Sequence, residues 1–180
     1  MTTEDDEAVR LARDGDPDAY EVLVARYTAP AHRLAYFLGA GGDVEDVVQD
    51  AFVKAYRALP RFRMGAPFRP WLLRIVANET KNAVRGRKRR AQLALRALDP
   101  RSVDDPYPRV AEAERRRVLL AGLRSLAGKD REILLCRYFL DLSEAETAMT
   151  LSLPVGTVKS RTSRALARLR DRLDVEVLDV

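Results

Sequence analysis

Cysteine, histidine and tryptophan occur once each in the 180 residues of this chain, and aromatic residues make up only 7%. A lone cysteine, Cys136, excludes an intramolecular disulfide. It follows the apolar run Ile133–Leu135, where a buried structural thiol is the expected state rather than a nucleophile. The single histidine, His32, stands without a phosphate loop or a second carboxylate cluster, which argues against metal-dependent phosphoryl chemistry. No apolar run approaches the roughly 18 residues of a membrane span, and the acidic amino-terminal stretch lacks the apolar core of a secretory signal. The expectation is a soluble, cytoplasmic protein. Strand formers are scarce beside Ala, Leu, Arg and Glu, which predicts an all-α fold.

Apolar residues reach 47% and charged residues 33%, enough for packed cores, and the length permits one medium domain or two small ones. The net charge is +5, but its distribution is more telling. Residues 61–90 hold ten basic groups against the single acid Glu79, whereas residues 1–20 hold seven acids against Arg10 and Arg13. One face suits a polyanion and another suits something else, although a basic stretch alone is also compatible with a solvated face.

Two helical blocks flank a segment rich in proline. The first runs from about Asp5 to Arg90. Asp16-Pro17 reads as a helix start, followed by Tyr20, Leu23, Val24 and Tyr27 at helical spacing, with Pro30 expected to kink or end that helix. Residues 39–42 read as a turn. Asp43 is expected to cap a helix carrying Val44, Val47, Val48, Ala51, Phe52 and Ala55 on one side. A loop from Pro60 to Pro67 precedes a fourth helix from Phe68 to Arg87. Residues 91–110, with Pro100, Pro106 and Pro108, read as a flexible linker whose first part, Ala91 to Leu98, extends a helix. In the second block, Val118, Leu119, Leu123 and Leu126 form one stripe, and Ile133, Leu134, Tyr138 and Phe139 belong to the next helix. Two short helices separated near Ser152 close the chain.

Three patterns bear on function. Ser143 and Glu146 make a capping box, Ala148 is small where two helices approach, Leu151-Ser152-Leu153 is a turn, and Pro154 starts a second helix. Val158, Ala165 and Leu169 then face a core, leaving Thr157, Lys159, Ser160, Arg161 and Arg164 for a DNA major groove. Arg168, Arg170 and Arg172 face either phosphate or water. On the fourth helix Trp71, Ile75, Asn78, Asn82 and Arg85 share one stripe while Phe68, Leu72, Val76 and Ala83 share another. A ring, amides and cations on one side suit single-stranded DNA; the plainer alternative makes Trp71 and Ile75 core residues. On the third helix Asp43, Asp46 and Asp50, with Gln49, form an acidic side that suits contact with a basic protein better than a metal.

These pieces, in this order, resemble the extracytoplasmic-function sigma factors over about residues 5–173. Asp46-Val-Val-Gln-Asp-Ala-Phe52 looks like the family's region 2.2, Phe62 to Arg90 with Phe68-Arg-Pro-Trp-Leu-Leu-Arg-Ile-Val-Ala-Asn78 looks like regions 2.3 and 2.4, and Leu142 to Arg164 with Val155-Gly-Thr-Val-Lys-Ser-Arg161 looks like region 4. The resemblance implies two helical domains, region 2 over 5–91 and region 4 over 111–174, joined by a linker over 92–110. It implies that Asp46, Gln49, Asp50 and Phe52 meet the β′ clamp helices of RNA polymerase core, with region 4 near the β flap. By the same resemblance, Phe62, Trp71, Ile75 and Asn78 form a pocket that melts the minus-ten element, and Lys81, Arg85, Lys88 and Arg89 hold nearby backbone. Thr157, Lys159, Ser160, Arg161, Ser163 and Arg164 read the minus-thirty-five major groove. It implies promoter DNA and an anti-sigma protein as partners, no cofactor, and no catalytic or metal-binding residue.

Some positions depart from the family pattern. Ser152 stands where glycine is frequent in the turn, Thr147 and Thr150 stand where apolar residues are usual, and Ser163 replaces a residue that is bulky in some relatives. The rival reading is a helix-turn-helix regulator that binds duplex DNA without polymerase, which leaves the acidic helix and the Trp71–Asn78 stripe without a task. A nucleic-acid enzyme lacks a catalytic set.

Overall fold

The structure, a computed structural model, describes residues 3–94, 118–123 and 125–178. Every element among them is helical. The first unit comprises α1 (Thr3–Arg13), α2 (Pro17–Phe37), α3 (Val44–Ala58) and α4 (Phe68–Ala94). Asp16 caps α2, its carboxylate accepting from the backbone N–H of Asp18 at 2.9 Å and of Ala19 at 3.2 Å. Pro30 does not end α2. Ala31, Leu34 and Ala35 beyond it are buried, and that packing outweighs the ladder bond lost at the proline. Helix α1 is tied to α2 through buried Asp5, which accepts from the Tyr27 hydroxyl and the Arg26 guanidinium. A carboxylate taken out of water needs such partners.

The turn after α2 carries Gly41 at φ 62, where a Cβ would come within 2.9 Å of the Arg87 guanidinium. That guanidinium donates to the Gly39 carbonyl at 3.1 Å and pairs with Asp43 at 3.3 Å. Asp43 therefore occupies the expected cap position of α3, but its carboxylate serves α4 instead of the helix N–H groups. Val47, Val48, Ala51, Phe52 and Ala55 of α3 are buried as the spacing predicts, against Leu72, Leu73 and Val76 of α4 and Leu23 and Leu34 of α2. Each fully buried leucine contributes about 1.5–3 kcal/mol. α4 continues past Arg87 to Ala94, so the expected extension holds for residues 91–94, and the remainder of the expected linker, 95–110, lies outside the described residues.

The second unit comprises α5 (118–123), α6 (Gly128–Leu134), a π-helical turn (Leu135–Phe139), α7 (Glu144–Leu151) and α8 (Val155–Leu178). Leu123, Leu126, Leu134, Ala165 and Leu169 form its core. Gly122 lets α8 come close: a Cβ there would sit 3.1 Å from both Leu169 and Leu173. Leu119, expected in the buried stripe, is 37% exposed, because the core cluster takes in α5 only from Leu123 onward. Tyr138 is likewise exposed, since the wider turn, closed by the Leu140 N–H on the Leu135 carbonyl at 3.0 Å, rotates it outward while Cys136 and Leu140 stay inside. The last helix is not short as expected but runs 24 residues.

The two units are packed on each other. Cys136, Leu140 and Leu142 belong to the same apolar cluster as the core of α1–α4. The Phe37 and Phe139 rings meet at a tilt with centroids 5.0 Å apart, the Thr150 hydroxyl donates to the Pro70 carbonyl at 3.4 Å, Arg69 donates to the Leu140 carbonyl, and Lys81 pairs with Glu132 at 3.0 Å.

Candidate protein and nucleic-acid interfaces

α2 and α3 enclose an open groove of about 810 Å³ lined by Tyr20, Val24, Gln49, Phe52, Val53 and Tyr56 among others. Its floor is set by a bond between helices, the Tyr20 hydroxyl donating to the Phe52 carbonyl at 2.6 Å, with the Tyr20 and Tyr56 rings 4.9 Å apart. Burial raises the Tyr20 phenol above its usual range, keeping it a neutral donor. Gln49 is exposed at the groove, and Asp46 and Asp50 are exposed one position round the helix. Phe52 is only 6% exposed, so it is part of the floor and not of an exposed acidic face. The sequence reading missed Val53 and Tyr56, each 42% exposed. Apolar residues one helical step off the core stripe of α3 are what could have pointed to them. The lining carries one carboxylate, Glu45, and one guanidinium, Arg57, with Asp46 and Asp50 outside it, and an apolar floor of this kind suits an amphipathic helix.

On α4, Trp71 is half-buried with its ring 4.9 Å from Phe62 and 5.4 Å from Phe68. Phe62 is itself buried, supporting the indole from behind without lining an open pocket. Ile75 is partly buried against the core, and Asn78, one turn on, is exposed. Arg85, Lys88 and Arg89 are exposed toward the far end of α4, whereas Lys81 is held by Glu132. Glu79, the lone acid of this stretch, pairs with Lys54 of α3, so it does not neutralise the cations on its own helix. The arrangement offers a ring, an amide and a line of positive charge, which together can stack a base, bond its edge and follow a phosphate backbone.

In the second unit the capping box is formed: the Glu146 N–H donates to the Ser143 hydroxyl oxygen at 3.2 Å and the Ser143 N–H to the Glu146 carboxylate at 2.8 Å. Burial works to raise the Glu146 carboxyl, but the hydrogen bonds from the Ser143 backbone and side chain outweigh it and hold the group below the usual carboxylate range. Ser152 occupies the left-handed region at φ 56, the conformation in which glycine is favoured. Thr147 is fully buried with its hydroxyl unpartnered among the described residues. Pro154 precedes α8 rather than starting it, its carbonyl accepting from the N–H groups of Thr157 at 2.9 Å and Val158 at 3.1 Å. Val158, Ala165 and Leu169 are buried as expected. Lys159, Ser160, Ser163 and Arg164 are exposed and Thr157 and Arg161 half-buried, so these six share the outer side of α8's first turns. Arg164 folds back on the Ser160 carbonyl at 3.1 Å. Arg168 is resolved as structural: it pairs with buried Asp130 and ties α8 to α6.

Among the described residues no three of His, Cys, Asp and Glu gather as a metal site, and no helix is long and apolar enough to cross a membrane.

Sigma-70 region 2 matches residues 23–90 and Sigma-70, region 4 matches residues 116–169. The ECF RNA polymerase sigma-E factor of Escherichia coli (strain K12) is 34% identical over 179 residues, covering 94% of this chain and 92% of its own length. Its counterpart in Haemophilus influenzae is 31% identical, covering 94% and 95%. Among solved structures, CnrH in complex with the cytosolic domain of CnrY is similar at a TM-score of 0.74 and 32% identity, covering 96% of this chain and 98% of that one. The sigma factor RpoE in complex with the anti-sigma factor NepR from Bartonella quintana is similar at a TM-score of 0.71 and 26% identity, covering 87% and 97%.

Proposed function

This chain belongs to the extracytoplasmic-function sigma factors, and from that premise we propose how its surfaces divide the work of starting transcription. The groove between α2 and α3, with Asp46, Gln49 and Asp50 beside it and Phe52 in its floor, receives the clamp helices of the polymerase β′ subunit. On α4, Trp71, Ile75 and Asn78, backed by Phe62, take the minus-ten strand, and Lys81, Arg85, Lys88 and Arg89 follow its backbone. On α8, Thr157, Lys159, Ser160, Arg161, Ser163 and Arg164 enter the minus-thirty-five major groove, with the second unit near the β flap. Working boundaries are 5–91 for region 2, 92–110 for the linker and 111–174 for region 4.

The physics of opening is consistent with this division. Extruding a base costs a few kcal/mol, and stacking on an aromatic ring returns about 1–3 kcal/mol per base. Two weak DNA contacts joined through one polymerase gain avidity from their tether. Bond chemistry stays with the polymerase; this chain is an initiation factor and not an enzyme, and it works in the cytoplasm. A relative of similar fold is bound by the anti-sigma factor NepR, which supports an anti-sigma partner here as well.

The observation that carries the reading is the pairing, within one unit, of the apolar-floored groove between α2 and α3 and the half-buried Trp71 face. A duplex-binding regulator needs only the helix-turn-helix and has no use for either. The test is transcription from a promoter library by core polymerase with the purified chain. Discrete new start sites are expected, and duplex binding with no dependence of transcription on the chain would contradict the reading.

A further inference from the structure

Near its carboxyl end α4 gathers Arg85, Arg87, Lys88, Arg89 and Arg90. By sequence alone these cations form one phosphate-binding surface. The structure separates Arg87 from the others. Its guanidinium reaches the turn between α2 and α3, where it donates to the Gly39 carbonyl at 3.1 Å and the Ala40 carbonyl at 2.5 Å and pairs with Asp43 at 3.3 Å. Of these cations it alone is held by an acid among the described residues. Side chains two positions apart on a helix point about 200° apart, so Arg87 faces away from both Arg85 and Arg89.

The ion pair by itself contributes little, because the Arg87 and Asp43 side chains are 41% and 45% exposed. The carbonyls matter more, since hydrogen bonds from a charged donor are among the stronger ones. Ala40 is fully buried, so water cannot take the place of the guanidinium there. Gly41 lies inside this bracket at φ 62, and a Cβ on it would come within 2.9 Å of the Arg87 guanidinium.

The bracket ends where the proposed polymerase contacts begin. Asp43 immediately precedes α3, and Asp46, Gln49 and Asp50 follow within its first two turns. The Asp43 side chain makes no cap bond to the N–H groups of α3. The end of α3 that bears those residues is therefore anchored from α4 and not by a local cap.

We propose that Arg87 is a positioning residue for polymerase binding: it fixes the start of α3, and with it the face carrying Asp46, Gln49 and Asp50, and it makes no phosphate contact with DNA. This rests on the polymerase role given to α3 above. Without the bracket the first turn of α3 frays. The apparent affinity for core then falls by the fraction of molecules in which that turn is formed.

The test measures core-polymerase affinity of the full chain as wild type, Arg87→Gln, Gly41→Ala and Gly39→Ala, with Asp46→Arg as reference. Gly41→Ala displaces the guanidinium without altering its charge. Gly39→Ala puts a side chain at φ 93 in the same turn but meets nothing within 4 Å, so it reports backbone strain alone. Arg87→Gln and Gly41→Ala should each weaken core binding about fivefold, and Gly39→Ala by less than about twofold. Amide exchange should quicken at the start of α3 in the first two variants while the rest of the first unit stays protected, which separates a local effect from unfolding.

With core at saturating concentration, the salt dependence of promoter binding distinguishes a positioning residue from a phosphate contact. Loss of one phosphate contact flattens the slope of log affinity against log salt by about one. Arg85→Gln should show that loss, and Arg87→Gln should keep the wild-type slope. A flattened slope in Arg87→Gln, wild-type core affinity in Arg87→Gln beside a weakened Asp46→Arg, or equal losses in Gly39→Ala and Gly41→Ala overturns the inference and leaves the polymerase role of α3 standing. Wild-type core affinity in Asp46→Arg overturns that role and the inference with it.

Discussion

The two helical units differ in how completely they satisfy themselves. The first buries Leu23, Leu34, Leu59, Leu72, Leu73 and Val76 within one cluster, and its buried carboxylate Asp5 has two partners. The second gathers Leu123, Leu126, Leu134, Ala165 and Leu169 in a smaller cluster among the described residues and turns on a serine at positive φ. Cys136, Leu140 and Leu142 of the second unit are covered by joining the core of the first. The unit assigned to polymerase and strand opening thus holds the larger core, and part of the helix-turn-helix unit is buried against it.

Several substitutions sharpen this contrast. The largest effect is expected at Leu72→Ala in α4, which should destabilise the first unit by about 2–5 kcal/mol, read as a lower urea midpoint with an unchanged slope. A change no larger than that of a surface substitution would show that this core is not the platform. Ser152→Gly should act in the opposite direction, stabilising the second unit by about 1 kcal/mol by relieving the left-handed serine, read as increased amide protection in α7 and α8. Loss of protection there would mean that the serine hydroxyl matters more than its backbone.

The smallest effect is expected at Glu146→Ala, which should cost about 1 kcal/mol or less near neutral pH. Because the folded state lowers the Glu146 carboxyl below its ordinary range, its contribution is present above that range and is lost as pH falls through the lowered value. Melting temperatures of wild type and variant should therefore converge on acidification. A gap that is constant with pH would mean that the carboxylate's charge has no part in the cap.

Much of the fold is readable from local chemistry. Asp16-Pro17 and Ser143 with Glu146 announce two helix starts through bonds spanning three residues or fewer, and the α3 stripe follows from helical period alone. What escapes such reading is decided across the chain. Asp43 looks like a cap but finds Arg87, 44 positions away. Arg168 looks free but finds buried Asp130. Tyr138 fits a helical stripe until a single wide turn rotates it into solvent.

The candidate interfaces divide along the same line. The outward set on α8 follows from which residues its core face leaves over, and the structure keeps that set together. The resemblance places Phe62 and Phe52 among contact residues, and both lie beneath the surface, Phe52 on the apolar side that its spacing predicts. The docking of the second unit on the first leaves no local trace: Phe37 with Phe139 and Pro70 with Thr150 are pairs of ordinary residues far apart in the chain.

The division of labour between α3 and α4 is tested most directly by measuring core-polymerase affinity and open-complex formation side by side for Asn78→Ala and Asp46→Arg. Asn78→Ala should lower strand opening by about tenfold while leaving core affinity at the wild-type value, and Asp46→Arg should weaken core association by about tenfold. Equal loss of both activities in Asn78→Ala, or unchanged core affinity in Asp46→Arg, would contradict the assignment.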